Sequence, residues 1–336
     1  MMKENDDGWV SGPHGRHRPI RATDYITKST ACKPGGDCPR WLEFLVLVTD
    51  GDTELIDFLQ RMCGYCLTGL TTEQKLFFLW GPGGNGKTTF VNTIAGIMGS
   101  YAVNAPMNLL AAGASEHHPT ELARLQGARL VTASETDEGR PWDETRLKML
   151  TGGDPITARY MNRDFFEYRP QFKVMVSGNH KPELRGLDDA LKRRVLIVPF
   201  VVRIPDEQRI LGFETMLKAE WPGILAWMLK GARYWRSEGL VVPAAVIAAT
   251  AEYFEAEDIV ATWLEECSTV RADHFETNRN LFENWTSFCR RSGEHTGTRK
   301  QFVAKLKKRP DLTFHKRDGN RGFLGRRLKS DFEQLL

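Results

Sequence analysis

The sequence has 336 residues, of which 41% are hydrophobic, with 46 Lys and Arg against 43 Asp and Glu. This length predicts two or three folded units, and the hydrophobic fraction is sufficient for sizeable cores. No apolar run reaches membrane-spanning length and the polar start lacks a signal-peptide pattern, so we expect a cytoplasmic protein that does not enter a membrane. The net charge of +3 does not by itself indicate any partner.

Six cysteines stand at irregular spacings, which is typical of a reduced protein rather than of a disulfide framework. The first four cysteines of the chain have two interpretations: they form a zinc site, or they are packing residues in a hydrophobic core. Cys63 and Cys66 belong to a helical apolar pattern, which favours packing. The set in question is Cys32, Cys38, Cys63 and Cys66.

The first part of the chain contains no residues with an evident chemical role. Residues 1 to about 30 are polar and aperiodic, which predicts an extended or poorly ordered lead-in. Residues 39–69 repeat apolar positions at helical spacing. We therefore expect residues 1–72 to be a lead-in followed by a small helical collar.

Residues 75–98 (KLFFLWGPGGNGKTTFVNTIAGIM) combine a strand-like run, a glycine-rich loop and a helical pattern, which is the context that G-x-x-x-x-G-K-[ST] requires. Such a loop surrounds phosphate oxygens with backbone N–H groups at a helix N-terminus. Lys87 can neutralise the β- and γ-phosphates, and the Thr88 hydroxyl can reach Mg²⁺. We therefore predict that ATP and Mg²⁺ bind at Gly81, Pro82, Gly83, Gly84, Asn85, Gly86, Lys87, Thr88 and Thr89.

An acidic residue follows the next predicted strand, residues 129–134 (RLVTAS). Ligands of open parallel sheets gather at the carboxyl ends of the strands, so we expect Glu135 beside the phosphate loop. A carboxylate there can orient Mg²⁺ and activate the attacking water. A solvated acidic loop is the alternative interpretation.

Two short strand-like runs within residues 156–168 flank the sequence MNRD, which predicts a β-hairpin with basic and amide side chains at its tip. The apolar strands 172–177 and 195–200 follow. Asn179, just after the first of them, can hold the nucleophilic water or sense the γ-phosphate. Alternating strands and helices behind a phosphate loop predict a parallel α/β ATPase core.

Arg193 and Arg194 directly precede the strand 195–200. Their position leaves two interpretations open. They are either a solvated charge pair or they contain an arginine finger for a neighbouring subunit, a device worth ~10³–10⁵ in rate.

The last part of the chain is markedly basic. Helical patterns at 277–289 and 298–308 precede two short strands around Asp318-Gly319-Asn320, which predicts a winged-helix module. A solvated basic surface is the alternative, but the pattern favours contact with DNA phosphates. The candidate DNA-binding residues in this part are Arg299, Lys300, Lys316, Arg317 and Arg321.

Five segments occur in one order: GPGGNGKTT (81–89), ARLVTASETDEG (128–139), LTGGDPITARYMNRDFFEY (150–168), VSGNHKP (176–182) and LKRRVLIVPF (191–200). Together they resemble the superfamily 3 helicase module of phage and plasmid primase–helicases, of the satellite-phage alpha-protein type. The resemblance implies an α/β, AAA+-like P-loop ATPase core with a small N-terminal helical unit and a C-terminal winged-helix domain. The implied divisions are a lead-in and collar at 1–72, the helicase core at 73–202, a helical lid and linker at 203–268, and a winged helix at 269–336.

The same resemblance implies a role for each matching residue. Family members grip DNA with the hairpin inside the central channel of a hexamer, where Arg163 would lie at the tip. Asn162 and Arg159 are supporting candidates, and Lys148 lies in the same motif. The implied catalytic and metal-binding residues are Lys87 and Thr88 (Walker A), Glu135 (Walker B), Asn179 (sensor 1) and Arg194 or Arg193 (arginine finger).

Two features depart from that family. Ser134 stands where many members have a second acid before Glu135, which leaves open whether water or Asp137 completes the coordination of Mg²⁺. No polymerase-like region precedes Cys32, so priming is not expected from this sequence.

We therefore predict an ATP-dependent DNA helicase of phage or plasmid replication that forms a ring, a hexamer, and translocates on single-stranded DNA. The expected partners are DNA, further copies of the chain and a separate primase. Two alternatives remain open: a replication initiator that binds ATP and DNA without unwinding, and a ring ATPase that acts on proteins.

Overall fold

The computed structural model describes residues 9–11, 17–19, 27–112, 119–134, 141–181, 189–256, 258–294, 296–307, 309 and 311–329. The chain divides into two compact units, Met1–Tyr253 and Phe254–Leu336. The described helices are α1 (Pro39–Thr49), α2 (Thr53–Leu67), α3 (Lys87–Met98), α4 (Pro119–Ala123), α5 (Glu144–Gly152), α6 (Asp189–Lys192), α7 (Phe213–Lys218), α8 (Trp221–Glu238), α9 (Ala244–Ala256), α10 (Ile259–Cys267), α11 (Asn278–Ser292) and α12 (Arg299–Leu306).

The described strands are β1 (Trp9–Ser11), β2 (His17–Pro19), β3 (Leu76–Trp80), β4 (Ala102–Asn104), β5 (Leu130–Ser134), β6 (Ile156–Ala158), β7 (Phe166–Tyr168), β8 (Lys173–Gly178), β9 (Val195–Pro199), β10 (Ser268–Thr277), β11 (Thr313–Arg317) and β12 (Asn320–Leu328). β1 and β2 pair antiparallel, which adds a short ladder to the predicted lead-in.

The first unit is built on a five-stranded sheet with the order β4-β5-β8-β3-β9, in which every pairing is parallel. β3 is a run of apolar residues because it is buried between two neighbouring strands, as parallel sheets require. The parallel α/β prediction is thereby confirmed. Since β3 lies between β8 and β9, the loop that follows it emerges at the carboxyl edge of the sheet beside the end of β8.

The helices α1 and α2 share one hydrophobic core with this sheet. Trp41 of α1 stacks on Phe90 of α3, with ring centroids 5.4 Å apart. Helix α2 approaches α8 so closely that a Cβ at Gly64 would lie 2.0 Å from the main-chain nitrogen of Ala232. Only glycine permits such an approach, so α2 is packed firmly against α8.

A buried lysine joins α2 to the sheet. Lys173, at the start of β8, is only 2% exposed and donates hydrogen bonds to the carbonyls of Thr68 and Leu70 after α2. Burial lowers its pKa to about 8. The lysine therefore ties the start of β8 to the turn that follows α2.

The second unit contains α10, β10, α11, α12, β11 and β12 in that order, and its three strands form a sheet with the order β10-β12-β11. Its core is aromatic: the Trp285 and Phe302 rings stack with centroids 5.4 Å apart, and Trp263 meets both rings edge-on. A Thr298–Gln301 capping box starts α12. The two helices and the hairpin predicted here are therefore confirmed.

Two features in this region differ from the expectation drawn from the sequence. The apolar and acidic pattern over 244–266 predicts one continuous helix, but the structure has two, because the Asp258 side chain accepts a hydrogen bond from the Ala261 N–H and caps a new helix there. β10 was not predicted. It pairs with β12, about fifty residues away, and its charge-containing sequence lacks the alternation of apolar and polar residues expected of a strand.

Candidate functional site: a phosphate loop with a basic hairpin and a basic cleft

The loop between β3 and α3 has a shape that depends on glycine. Gly83, Gly84 and Gly86 have φ values of +95°, +63° and +81°, a region that L-residues with side chains rarely adopt. A Cβ at Gly81 would lie 1.9 Å from the Phe200 carbonyl oxygen. Asn85 donates a hydrogen bond to that same carbonyl, so the loop is anchored to the residue that follows β9.

Lys87 connects this loop to the neighbouring strand end. Its side chain is buried, and its Nζ donates to the Gly81 carbonyl at 2.6 Å and to Asn85 Oδ1 at 3.0 Å. It also donates to Asn179 Oδ1 at 3.1 Å, just after β8. The structure therefore places Lys87, which the loop motif predicts, in contact with Asn179, which the end of a strand predicts. A cation and an amide at one point suit the recognition of a terminal phosphate.

Burial lowers the pKa of Lys87 to about 8. Only the protonated lysine attracts phosphate, so we expect nucleotide affinity to be constant below pH 8 and to fall by up to about tenfold per pH unit above it. Above pH 8 the nucleotide phosphates are fully ionised and do not contribute to the slope. Fluorescence titration between pH 6.5 and 9.5 measures the effect.

The control for this prediction is Lys87→Arg, because arginine does not titrate in the same range. This variant should bind more weakly but with a flat profile. Since Lys173 also has a pKa of about 8, a slope that persists in Lys87→Arg would assign the titration to Lys173 and contradict the prediction.

The N-terminus of α3 is open toward the loop. Its N-cap is Gly86 in a left-handed conformation, with no side chain accepting the first N–H groups. Thr88 lies exposed in the first turn and Thr89 is half-buried. Free N–H groups, a nearby cation and an exposed hydroxyl are what a magnesium-bound phosphate group needs. The residues present therefore fit ATP with Mg²⁺.

The acidic candidate follows β5. Ser134, the last residue of that strand, pairs with Ser177 of β8, and their Oγ atoms are 3.3 Å apart. Glu135 is the next residue and lies outside the described residues, as does Asp137. Within the described ranges, no cluster of three or more His, Cys, Asp or Glu is arranged to hold a metal ion. Cys63 and Cys66 are buried in the core of the first unit.

Arg193 and Arg194 lie at the opposite edge of the sheet, where β9 begins. The Arg194 carbonyl accepts a hydrogen bond from the N–H of Leu76 at the start of β3, so the length of β3 separates the pair from the phosphate loop of the same chain. The Arg194 guanidinium donates to the Ala190 carbonyl at 2.8 Å, and Arg193 Nε donates to the Asp189 carbonyl at 3.1 Å. Neither Arg193 nor Arg194 is a hydrogen-bond neighbour of Lys87 or its partners at the loop.

The predicted hairpin is formed by β6 and β7, which pair antiparallel. Asn162 and Arg163 are exposed at its tip, and Asn162 has a φ of +56°. The Arg159 guanidinium lies over the Phe165 ring, 4.8 Å from its centroid. Lys148 is half-buried on α5, outside this tip. The tip thus combines cations with exposed apolar side chains, a combination that suits both phosphates and bases.

In the second unit, the five basic candidates are all exposed. The structure brings two of them together: Arg299 and Arg321 line a cleft of about 570 Å³ where α11 and α12 begin beside the turn of the β11–β12 hairpin. Lys300, Lys316 and Arg317 lie outside this cleft. Arg279, which was not selected from the sequence, also lines it.

A second basic residue was missed beside the phosphate loop. The guanidinium of Arg209 lies against Gly84, although 125 positions separate them in the sequence. No local motif marks Arg209. Only the path of the chain after β9 places it there.

Several curated relatives of this chain carry helicase names. Residues 79–194 match a family of unknown function, DUF5906. The chain is 26% identical over 245 residues to "Putative helicase L207/L206" of Acanthamoeba polyphaga mimivirus. This alignment covers 66% of this chain and 25% of the viral protein. It is 27% identical over 292 residues to "Putative helicase 022R" of Frog virus 3 (isolate Goorha). That alignment covers 77% of this chain and 29% of the viral protein. The chain thus spans about a quarter of the length of these relatives.

Among solved structures, the apo C-terminal region of NrS-1 is similar, with a TM-score of 0.53 and 14% identity over 88% of this chain and 78% of that chain. At this identity the likeness concerns the fold alone. Within the described part of the chain, no helix has both the length and the apolar character that crossing a lipid bilayer demands.

Proposed function

We propose that this chain is a ring-forming, ATP-dependent DNA helicase of the superfamily 3 type that translocates on single-stranded DNA. The observation that supports this most directly is the hydrogen bond between Lys87 and Asn179, which joins the phosphate loop to a strand-end amide at the carboxyl edge of a parallel sheet. The helicase names of the viral relatives point to the same class.

The nucleotide site is assigned as follows. Lys87 would hold the terminal phosphates, the Thr88 hydroxyl and Glu135 would hold Mg²⁺, and Asn179 would position the attacking water. ATP supplies the free energy when bound, and separating a DNA base-pair step at ~1.4 kcal/mol is well within its range. Thr88 is exposed at the open N-terminus of α3, which suits it to metal binding.

The position of Arg194 supports the proposed ring. A guanidinium at the far edge of the sheet cannot serve the phosphate loop of its own chain, but it can serve that of a neighbour in a head-to-tail ring. Such rings close when the rotation between subunits closes, and a hexamer is the arrangement that the resemblance implies. Arg193 is the alternative finger.

The hairpin tip is assigned to the translocated strand, with Arg163 contacting phosphates and the Arg159–Phe165 pair beside it. In the second unit, the order helix, strand, two helices, hairpin and the three-stranded sheet support a winged helix. Its cleft between Arg299 and Arg321 is assigned to duplex DNA.

Arg163→Ala is expected to keep basal ATP hydrolysis within about twofold of the wild type but to lose strand separation, because the residue is exposed at the tip of the β6–β7 hairpin and would act only on DNA. A fluorescent strand-displacement assay, run beside a phosphate-release assay, measures both. Arg169→Ala, on an exposed arginine just after β7, is the matched control and should unwind normally. Normal unwinding by Arg163→Ala would contradict the hairpin assignment.

One alternative function is favoured by a particular observation. The basic cleft of the second unit supports a replication initiator that binds ATP and DNA without unwinding. Hydrolysis measured with and without single-stranded DNA, at low and high salt, separates the two. The helicase should be stimulated by single strands in a salt-sensitive manner, whereas the initiator should bind duplex DNA with negligible turnover.

A further inference from the structure

The segment that follows β9 returns to the phosphate loop. The main-chain N–H of Ile204 donates to the Gly84 carbonyl at 2.9 Å. Farther along the same segment, the Arg209 guanidinium lies so close that a Cβ at Gly84 would be 2.7 Å from its Nη2. Gly84 thus serves two purposes: its φ of +63° shapes the loop, and its missing side chain leaves room for the guanidinium.

The present partner of Arg209 is replaceable. Its Nη1 lies 2.6 Å from Asp206 Oδ1, and the two side chains are 46% and 76% exposed. An ion pair this exposed contributes little to stability. A phosphate group carries more charge than one carboxylate and matches the planar guanidinium with two oxygens.

We propose that Arg209 contacts the phosphates of the bound nucleotide from within the same chain, exchanging its partner Asp206 for phosphate. This inference rests on the proposed nucleotide binding at the loop. It differs from the role proposed for Arg194, which serves a neighbouring copy. It also adds a second cation to a loop whose first, Lys87, is buried and already bonded to three oxygens.

The test is equilibrium binding of fluorescent ADP and of a non-hydrolysable ATP analogue. Arg209→Ala should bind both about tenfold more weakly, the lower end of what a charge-assisted hydrogen bond gives at an exposed site. Arg209→Lys should recover part of the loss. Asp206→Ala should bind at least as tightly as the wild type, since it releases the guanidinium. Arg203→Ala, on an exposed arginine of the same segment, is the matched control and should bind normally.

The outcomes separate this inference from the proposed function. If the wild type binds neither nucleotide, nucleotide binding itself is wrong and the role of Arg209 is overturned with it. If the wild type binds and Arg209→Ala binds equally well, only the role of Arg209 is overturned. Equal losses in Asp206→Ala and Arg209→Ala would also overturn it, because the ion pair would then only support the shape of the segment.

Discussion

Lys87→Ala is expected to reduce ATP hydrolysis roughly 10²–10³-fold, the usual effect of removing one preorganised electrostatic contact from a reacting centre. The lysine Nζ reaches Gly81, Asn85 and Asn179 at once, so its loss removes both the charge and the link between the loop and β8. Steady-state phosphate release measures the rate.

Two controls accompany that variant. Lys33→Ala removes an exposed lysine from the same unit and should hydrolyse ATP normally. Thermal unfolding of Lys87→Ala should stay cooperative with a melting temperature near that of the wild type, because the free-energy cost of burying the cation offsets its three hydrogen bonds. Hydrolysis by Lys87→Ala within tenfold of the wild type would show that the loop is not the catalytic site.

Arg194→Ala is expected to reduce hydrolysis ~10³-fold or more while nucleotide affinity changes little, because an arginine finger acts in the transition state rather than on ground-state binding. Arg193→Ala is the matched neighbour and should have a much smaller effect. The reverse order of the two effects would assign the finger to Arg193. Phosphate release and nucleotide titration together make the distinction.

Mixing Lys87→Ala with Arg194→Ala tests whether the ATP site lies between two subunits. A subunit with Arg194→Ala keeps Lys87, and a neighbour with Lys87→Ala keeps Arg194, so one complete site forms between them. Random mixing should restore roughly a quarter of wild-type hydrolysis in a head-to-tail ring. A mixture that assembles but stays inactive would contradict the shared site.

The sequence predicts the strands and loop of the candidate nucleotide site well because their signals are local. β3 is a continuous apolar run before a motif with every fixed position filled, and Asn179 follows β8, another fully buried strand. Adjacency in a parallel sheet then places both at one edge. The contact between Lys87 and Asn179 follows from the topology, although its geometry does not.

Other features depend on residues that are distant in sequence. β10 is held by main-chain pairing with β12 rather than by an apolar pattern of its own. Lys173 stands inside an apolar strand, and nothing near it in sequence indicates that it would reach the carbonyls after α2. Arg209 reaches Gly84 only because the chain folds back after β9. No short sequence window contains both members of any of these three pairs.

The most direct test of the central claim is strand displacement on a forked, fluorescently labelled DNA duplex by the wild-type chain. We expect strands to separate with ATP and Mg²⁺, and to remain paired with a non-hydrolysable analogue or with Lys87→Ala. Steady ATP hydrolysis without any strand separation would contradict the account.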